Sequence, residues 1–170
     1  NENETFRMRD KTLISLALAT ALRISALVNI NIDDIDFDNG VIKVVEKRQK
    51  VREIPIGDHM MVTLKEFIEF RTNECGDVNS RALFLTKNNN RLSVWDANDM
   101  LEKYCDWAGI KRVTFHKLRA SSACALAKAG VPVKAIAQQL GHSGIGVTMR
   151  YLDVFNEDRE KTKGVLDNLF

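Results

Sequence analysis

The sequence lacks the features that mark several classes of protein. Its three cysteines are an odd number with no C-x-x-C spacing, so they support neither a disulfide framework nor a zinc site. The longest apolar run, residues 13–22, is interrupted by Ser15 and Thr20 and has about half the length that crosses a bilayer. The sequence also has no secretory signal, internal repeat or low-complexity segment. These absences predict a cytoplasmic protein with no metal site and no membrane partner.

Length and charge set further bounds. A chain of 170 residues with 45% hydrophobic content suits one globular domain with a buried core. The net charge of only +2 indicates no particular partner. Because the first residues include no initiator methionine, we expect a fragment or a processed product of a longer chain that has a further domain upstream.

Hydrophobic spacing predicts a mainly helical chain. Ile14, Ala17, Leu18 and Ala21 repeat at helical spacing and predict a buried helix over about residues 6–22, followed after Arg23 by a short helix. Further helices are predicted from a cap at residue 58, from a capping box at residues 93 and 96, and from residue 114. Later ones are predicted over residues 133–140, around residues 147–151, and from about residue 156 as a polar helix with an apolar end.

Turn residues predict a small sheet within this helical chain. Asp38, Asn39 and Gly40 supply turn chemistry between apolar runs, and a second turn is expected within residues 47–50. Three short antiparallel strands over residues 35–37, 41–45 and 51–56 are therefore expected. The predicted fold class is α+β, mainly helical, with a three-stranded antiparallel sheet.

Basic residues crowd the second turn of this sheet, with Glu46 the only acid among them. They are Lys43, Lys47, Arg48, Lys50 and Arg52. Such a run is typical of a solvated hairpin. It is also the segment in which we expect DNA contacts, at Lys43, Arg48, Lys50 and Arg52.

Two arginines suit the chemistry of phosphodiester cleavage. In-line attack on phosphorus raises the negative charge on the non-bridging oxygens, and a guanidinium presents paired donors that match two oxygens and stay protonated. Arg23 and Arg119 are the candidates. Either could instead be an ordinary ion-pair partner.

The other candidates are a lysine, two histidines and a tyrosine. His116 lies three residues before Arg119 at a helix start, so both side chains are expected on one face. His142 follows the helix stop at Gly141. The phenol of Tyr151, with an ordinary pKa near 10, becomes a nucleophile only if its anion is stabilised, and Lys47 could protonate the leaving oxygen. Taken singly, these residues also have structural explanations. His116 and Arg119 could form a surface pair, His142 could be a capping or core histidine, and Tyr151 could be a structural tyrosine.

Taken together, these residues resemble the tyrosine recombinase (phage integrase) family. The resemblance rests on five segments: Thr20-Ala21-Leu22-Arg23-Ile24-Ser25, Glu46-Lys47 with Val51-Arg52-Glu53-Ile54-Pro55-Ile56, His116-Lys117-Leu118-Arg119, Leu140-Gly141-His142-Ser143, and Tyr151. Their order and spacing match: Lys47 lies 24 residues after Arg23, His142 lies 26 after His116, and Tyr151 lies 9 after His142. The resemblance covers nearly the whole chain.

The resemblance implies a catalytic domain that cleaves and rejoins DNA at specific sites, as in integration of a phage or mobile element. By that likeness Arg23 and Arg119 bind the scissile phosphate, Lys47 protonates the 5′ oxygen, and Tyr151 forms a 3′-phosphotyrosine. His116 would assist proton transfer and His142 would contact the phosphate. No cofactor is implied, because the phosphotyrosine ester conserves the bond energy.

The resemblance also implies partners. They are double-stranded DNA and further copies of the chain, assembled as a tetramer on DNA through residues 156–170, with an upstream core-binding domain outside this sequence. Two positions depart from the family pattern: Ala26 stands where an acid is usual, and Ala120 stands where a histidine or arginine is common. We expect these to alter rigidity or regulation and to leave the chemistry in place.

Three other functions were considered. A catalytically silent DNA-binding module of the same fold stays open as an alternative. A calcium loop starting at Asp34 fails, because Asn39 and Val45 occupy positions that require glycine and glutamate. A serine hydrolase fails as well, because Ile145 breaks the G-x-S-x-G pattern that Gly141 and Ser143 begin.

Overall fold

The computed structural model describes residues 2–45, 51–75, 80–142, 144–150 and 152. Two compact units are distinguished, residues 1–119 and 120–170, and each is described by itself. The helices are α1 (Glu2–Thr20), α2 (Ile24–Val28), α3 (Asp58–Cys75), α4 (Val94–Trp107), α5 (Phe115–Lys128) and α6 (Val133–Leu140), and residues 145–150 are also helical. None of the helices in the described part of the chain is long and apolar enough to cross a membrane.

The sheet belongs to the first unit and has the predicted topology. Strands β1 (Ile35–Asp36), β2 (Val41–Val45) and β3 (Val51–Pro55) are antiparallel, in the order β1-β2-β3. Gly40 provides the left-handed φ of +65° that the first turn needs. The Asp36 carboxylate accepts hydrogen bonds from the side chain and backbone of Asn39, which lower the pKa of Asp36. The α+β, mainly helical class is confirmed, although β1 and β3 are each one residue shorter than predicted.

The core of the first unit forms between α1, α3, the sheet and residues 83–85. Leu13, Leu16 and Ala17 of α1 are fully buried, and the rings of Phe67 and Phe84 stack with their centroids 5.7 Å apart. Leu18 is 43% exposed, so its predicted place on the buried face was wrong. The buried positions also include Asp10, Thr12 and Thr20, so the buried face of α1 differs from the face that the apolar pattern indicated.

A polar cluster joins α1 to α4. Asp10 is buried and pairs with Arg9, whose Nη1 also donates to the Leu85 carbonyl at 2.8 Å. The Tyr104 hydroxyl donates to Asp10 at 3.2 Å. Burial raises the pKa of both Asp10 and Tyr104. These polar groups bind one another, so the donors and acceptors of the cluster are satisfied.

The starts of two helices test the predicted caps. At α4 the capping box is confirmed, with the Ser93 hydroxyl accepting from the Asp96 N–H and the Asp96 carboxylate accepting from the Ser93 N–H. Asp58 was predicted to cap α3, and this was wrong. Asp58 is the first helical residue, while the Gly57 carbonyl accepts the first bonds from residues 60 and 61. The Asp58 carboxylate therefore contributes its charge to the first turn.

Both helices that end in the second unit have the same C-terminal turn. After α6, Gly141 has a φ of +66°, its N–H binds the Gln138 carbonyl, and the His142 N–H binds the Ala137 carbonyl. Gly130 ends α5 in the same way. This is the Schellman arrangement, in which a left-handed glycine satisfies the last carbonyls of the helix. The two predicted glycine stops are thereby confirmed.

Candidate active site

A strained turn leads into Arg23. Ala21 has a φ of +53°, a left-handed conformation that costs a residue with a Cβ about 1–2 kcal/mol. It ends α1 at Thr20, two residues before the predicted end at Leu22. The Thr20 hydroxyl donates to the Leu16 carbonyl at 2.7 Å and accepts from the Leu22 N–H at 3.3 Å, so it holds both sides of the bend. We call residues 20–23 the arginine turn.

Arg23 is exposed and stands at the start of α2. Its carbonyl accepts hydrogen bonds from the N–H groups of Ala26 and Leu27, which fixes its backbone as the N-cap of the helix. No ion pair or side-chain hydrogen bond of Arg23 is formed with another residue in the described ranges. The guanidinium is therefore presented to solvent on a fixed backbone, as an anion-binding group would be.

The other end of α2 is held by an arginine that the sequence analysis did not single out. Arg91 donates from Nη1 to the carbonyls of Val28, at 2.9 Å, and Ile30, at 3.3 Å. Its Nη2 donates to the Asn31 side chain at 2.6 Å. Since a helix of five residues has little stability of its own, these bonds help fix α2 and the backbone of Arg23. Nothing in the local sequence indicates this role, because the partners lie about sixty residues away.

Arg119 reaches back to the arginine turn. The start of α5 is set by Thr114, whose hydroxyl accepts from the Lys117 N–H at 3.2 Å. On this helix His116 is exposed and Arg119 is only 3% exposed. The Arg119 Nη1 donates to the Ala21 carbonyl, so the second candidate arginine is anchored two residues from the first. The structure thus brings Arg119 to the turn that carries Arg23.

The basic hairpin is described only in part. Lys47, Arg48 and Lys50 lie outside the described residues. Lys43 lies on the exposed face of β2 opposite Glu53, while Arg52 pairs with Val44 on the other face. The strands therefore direct Lys43 and Arg52 to opposite sides of the sheet, and the structure does not bring these two predicted DNA contacts together.

In the second unit, His142 is held at two points. Its backbone N–H closes the turn after α6, and its Nδ1 lies 2.8 Å from the Thr148 hydroxyl. Thr148 has no exposed surface and belongs to the helical residues 145–150. Tyr151, the predicted nucleophile, lies outside the described residues.

The two residues that depart from the family pattern, Ala26 and Ala120, are both half-buried. Ala26 is half-buried and packs against the hydrophobic core of the first unit, so its methyl group contributes to packing where a carboxylate would need a partner. Ala120 is half-buried on α5.

Within the described residues, no group of three or more histidine, cysteine, aspartate or glutamate side chains could hold a metal ion.

Comparison with known proteins identifies the family. The model of the phage integrase family matches residues 1–158. The tyrosine recombinase XerC of Roseiflexus castenholzii is 30% identical, with 89% of this chain and 49% of the relative covered. The tyrosine recombinase XerA of Thermococcus kodakarensis is 34% identical, with 92% and 55% covered.

Solved structures give the same picture. The crystal structure of XerA recombinase superposes with a TM-score of 0.75 at 26% identity, covering 89% of this chain and 56% of that one. The Tn1549 transposon integrase in complex with transposon right end DNA gives a TM-score of 0.69 at 26% identity, covering 88% and 57%. The chain belongs to the phage integrase family. It spans about half the length of the curated relatives that it matches.

Proposed function

We propose that the protein cleaves and rejoins DNA at specific sites through a 3′-phosphotyrosine intermediate, as a tyrosine-type recombinase. The observation that carries this proposal is the contact of Arg119 with the Ala21 carbonyl, two residues from Arg23. It ties the Arg119 guanidinium to the turn that carries Arg23. The solved relatives support duplex DNA as the substrate class, since one is an integrase on transposon DNA and another a recombinase on its difH substrate before cleavage.

The proposed chemistry needs one nucleophile and one acid. The Tyr151 oxygen attacks phosphorus, the P–O5′ bond breaks, and Lys47 protonates the leaving 5′ oxygen. His116 assists removal of the phenolic proton of Tyr151, which balances the proton that Lys47 gives to the 5′ oxygen. The reaction forms a phosphotyrosyl ester and a 5′-hydroxyl. Attack on that ester by a 5′-hydroxyl of a partner duplex forms a new phosphodiester and releases the tyrosine, so strands are exchanged without a cofactor.

Charge stabilisation falls to the arginines and His142. The phosphorane carries more negative charge than the ground state, and Arg23 and Arg119 each offer a rigid fork of donors to its oxygens. The contact of the Arg119 Nη1 with the Ala21 carbonyl fixes this guanidinium relative to the turn that carries Arg23. The bound geometry thus costs less side-chain entropy than that of a flexible lysine. Lys43, Arg48, Lys50 and Arg52 are proposed to bind DNA.

A covalent complex with DNA is the test of this proposal. The full-length gene product is incubated with a randomised library of nicked duplexes, in which the cleaved strand end diffuses away and traps the intermediate. We expect DNA that stays attached to protein through denaturant and is released by protease, enriched in one sequence. Binding of a preferred sequence with no denaturant-resistant species would identify a silent DNA-binding module instead.

We further propose that copies of the chain assemble as a tetramer on DNA through residues 156–170. In this proposal a core-binding domain upstream of the chain also binds the duplex, and the protein acts in the cytoplasm. The support for the assembly is compositional, since the polar segment 156–170 ends in apolar residues that a monomer would expose to water. Multi-angle light scattering with the selected duplex should give a protein mass of four copies, which falls when residues 156–170 are deleted. A single copy both alone and on DNA would refute the assembly.

A further inference from the structure

We infer that Thr148 is a positioning residue that sets the ring orientation of His142. The observation is the distance of 2.8 Å between the Thr148 Oγ1 and the His142 Nδ1. The inference rests on the proposed function, in which His142 contacts the scissile phosphate. It assigns a task to a residue that lies outside the motifs used above.

The backbone of His142 is already fixed when the side chain meets Thr148. Gly141 turns the chain in its left-handed conformation, and the His142 N–H binds the Ala137 carbonyl. These backbone contacts do not set the rotation of the imidazole about its side-chain bonds. The hydrogen bond between Nδ1 and Thr148 limits that rotation and so directs the Nε2 edge of the ring.

Burial makes the hydroxyl of Thr148 an effective partner. Thr148 has no exposed surface, so water does not compete for its hydroxyl, and a buried hydroxyl without a partner would be costly. In the neutral imidazole one ring nitrogen carries the proton and the other accepts. A hydroxyl can both donate and accept, so Thr148 binds Nδ1 in either neutral tautomer and holds the ring in one orientation.

A hydroxyl also tolerates a change in the charge of the ring. If the imidazole gains a proton, both nitrogens become donors, and the hydroxyl can rotate to accept from Nδ1. A carboxylate at this position would favour the charged ring, and a methyl group would bind neither form. Threonine thus holds His142 in place through protonation and deprotonation, as a group beside a reacting phosphate requires.

Substitution of Thr148 tests the inference through cleavage kinetics. Thr148→Val keeps the shape and removes the hydroxyl, and Thr148→Ser keeps the hydroxyl. The substrate is the nicked duplex selected above, at a concentration that saturates the protein. Thr148→Val should then slow formation of the covalent complex about ten- to hundredfold, as loss of a buried hydrogen-bond partner predicts. Thr148→Ser should stay within about threefold of wild type on the same grounds. Thr12→Val, which removes a buried hydroxyl of α1, is the matched control and should leave the rate unchanged.

A double-mutant cycle separates positioning from folding. In a His142→Ala background Thr148→Val should have no further effect, because the ring that it orients is gone. If the two losses in cleavage rate multiply in the double variant, Thr148 acts independently of His142, and the inference is overturned. If wild type itself forms no covalent complex, the proposed function fails, and the next measurement still decides on Thr148.

The ring orientation can be read without DNA. Crystal structures of wild type and of the two Thr148 variants show the direction of the His142 imidazole. Wild type and Thr148→Ser should place Nδ1 at the hydroxyl of residue 148, as in the 2.8 Å contact described above. In Thr148→Val the ring should turn away or occupy more than one orientation. The same single ring orientation in Thr148→Val as in wild type would overturn the inference.

Discussion

Tyr151→Phe is expected to abolish the covalent protein–DNA complex and to leave DNA affinity almost unchanged. Removing the phenolic oxygen removes the nucleophile, while the cationic groups that bind phosphates stay in place. The measurement is denaturing gel analysis of the nicked duplex together with equilibrium binding of the intact duplex. Adduct that persists in Tyr151→Phe would assign the nucleophile to another residue.

The sequence offers a matched control, because it contains only one other tyrosine. Tyr104 donates its hydroxyl to Asp10 in the contact between α1 and α4. Tyr104→Phe therefore removes a hydrogen bond of the core and should lower the free energy of unfolding by about 1 kcal/mol. It should still form the adduct. A loss of adduct in both variants would point to folding, and not to chemistry, as the cause.

Arg119→Ala and Arg23→Ala are expected to reduce cleavage alike and to differ in stability. Each removes a fork that stabilises the phosphorane, at a cost on the order of 3 to 4 kcal/mol of activation free energy, or roughly a hundred- to thousandfold in rate. Arg119 is also buried and binds the Ala21 carbonyl, so its loss should lower the free energy of unfolding by about 1–3 kcal/mol. Arg23 is exposed, and its loss should change stability by about 0.5 kcal/mol at most.

The comparison has two controls. Arg119→Lys retains the charge and lacks the planar fork, so cleavage should stay low. Arg81→Ala removes a positive charge whose side chain is 83% exposed, and it should leave the cleavage rate unchanged. Single-turnover rates and urea unfolding of the five proteins give both quantities. Equal stability of Arg119→Ala and wild type would remove the anchoring role that we assign to the Ala21 carbonyl.

Local patterns predicted most of the fold. The glycines at 130 and 141 and the capping box at Ser93 each act within one turn of helix, so their residue types alone specify the structure. The hairpin turn at Gly40 is local in the same sense. Where several residue types fit a pattern, the prediction was weaker, as the exposed Leu18 and the first-turn position of Asp58 show.

The site depends on contacts that such patterns do not contain. Arg119 and Ala21 are 98 positions apart, and alanine carries no signal for a left-handed turn. Thr148 is six positions from His142, a spacing that does not by itself indicate a contact. The motifs named the candidate residues, but the groups that contact Arg119 and His142 became visible only in three dimensions.

The central claim is that Arg23, Arg119 and Tyr151 act on a single phosphorus atom. Its most direct test is an experimental structure of the full-length protein on its selected duplex, with vanadate replacing the scissile phosphate. The account predicts both guanidinium groups within about 3 Å of the equatorial vanadate oxygens, with the Tyr151 oxygen in an apical position. Guanidinium groups that face different surfaces, or a Tyr151 hydroxyl beyond reach of the vanadate, would contradict it.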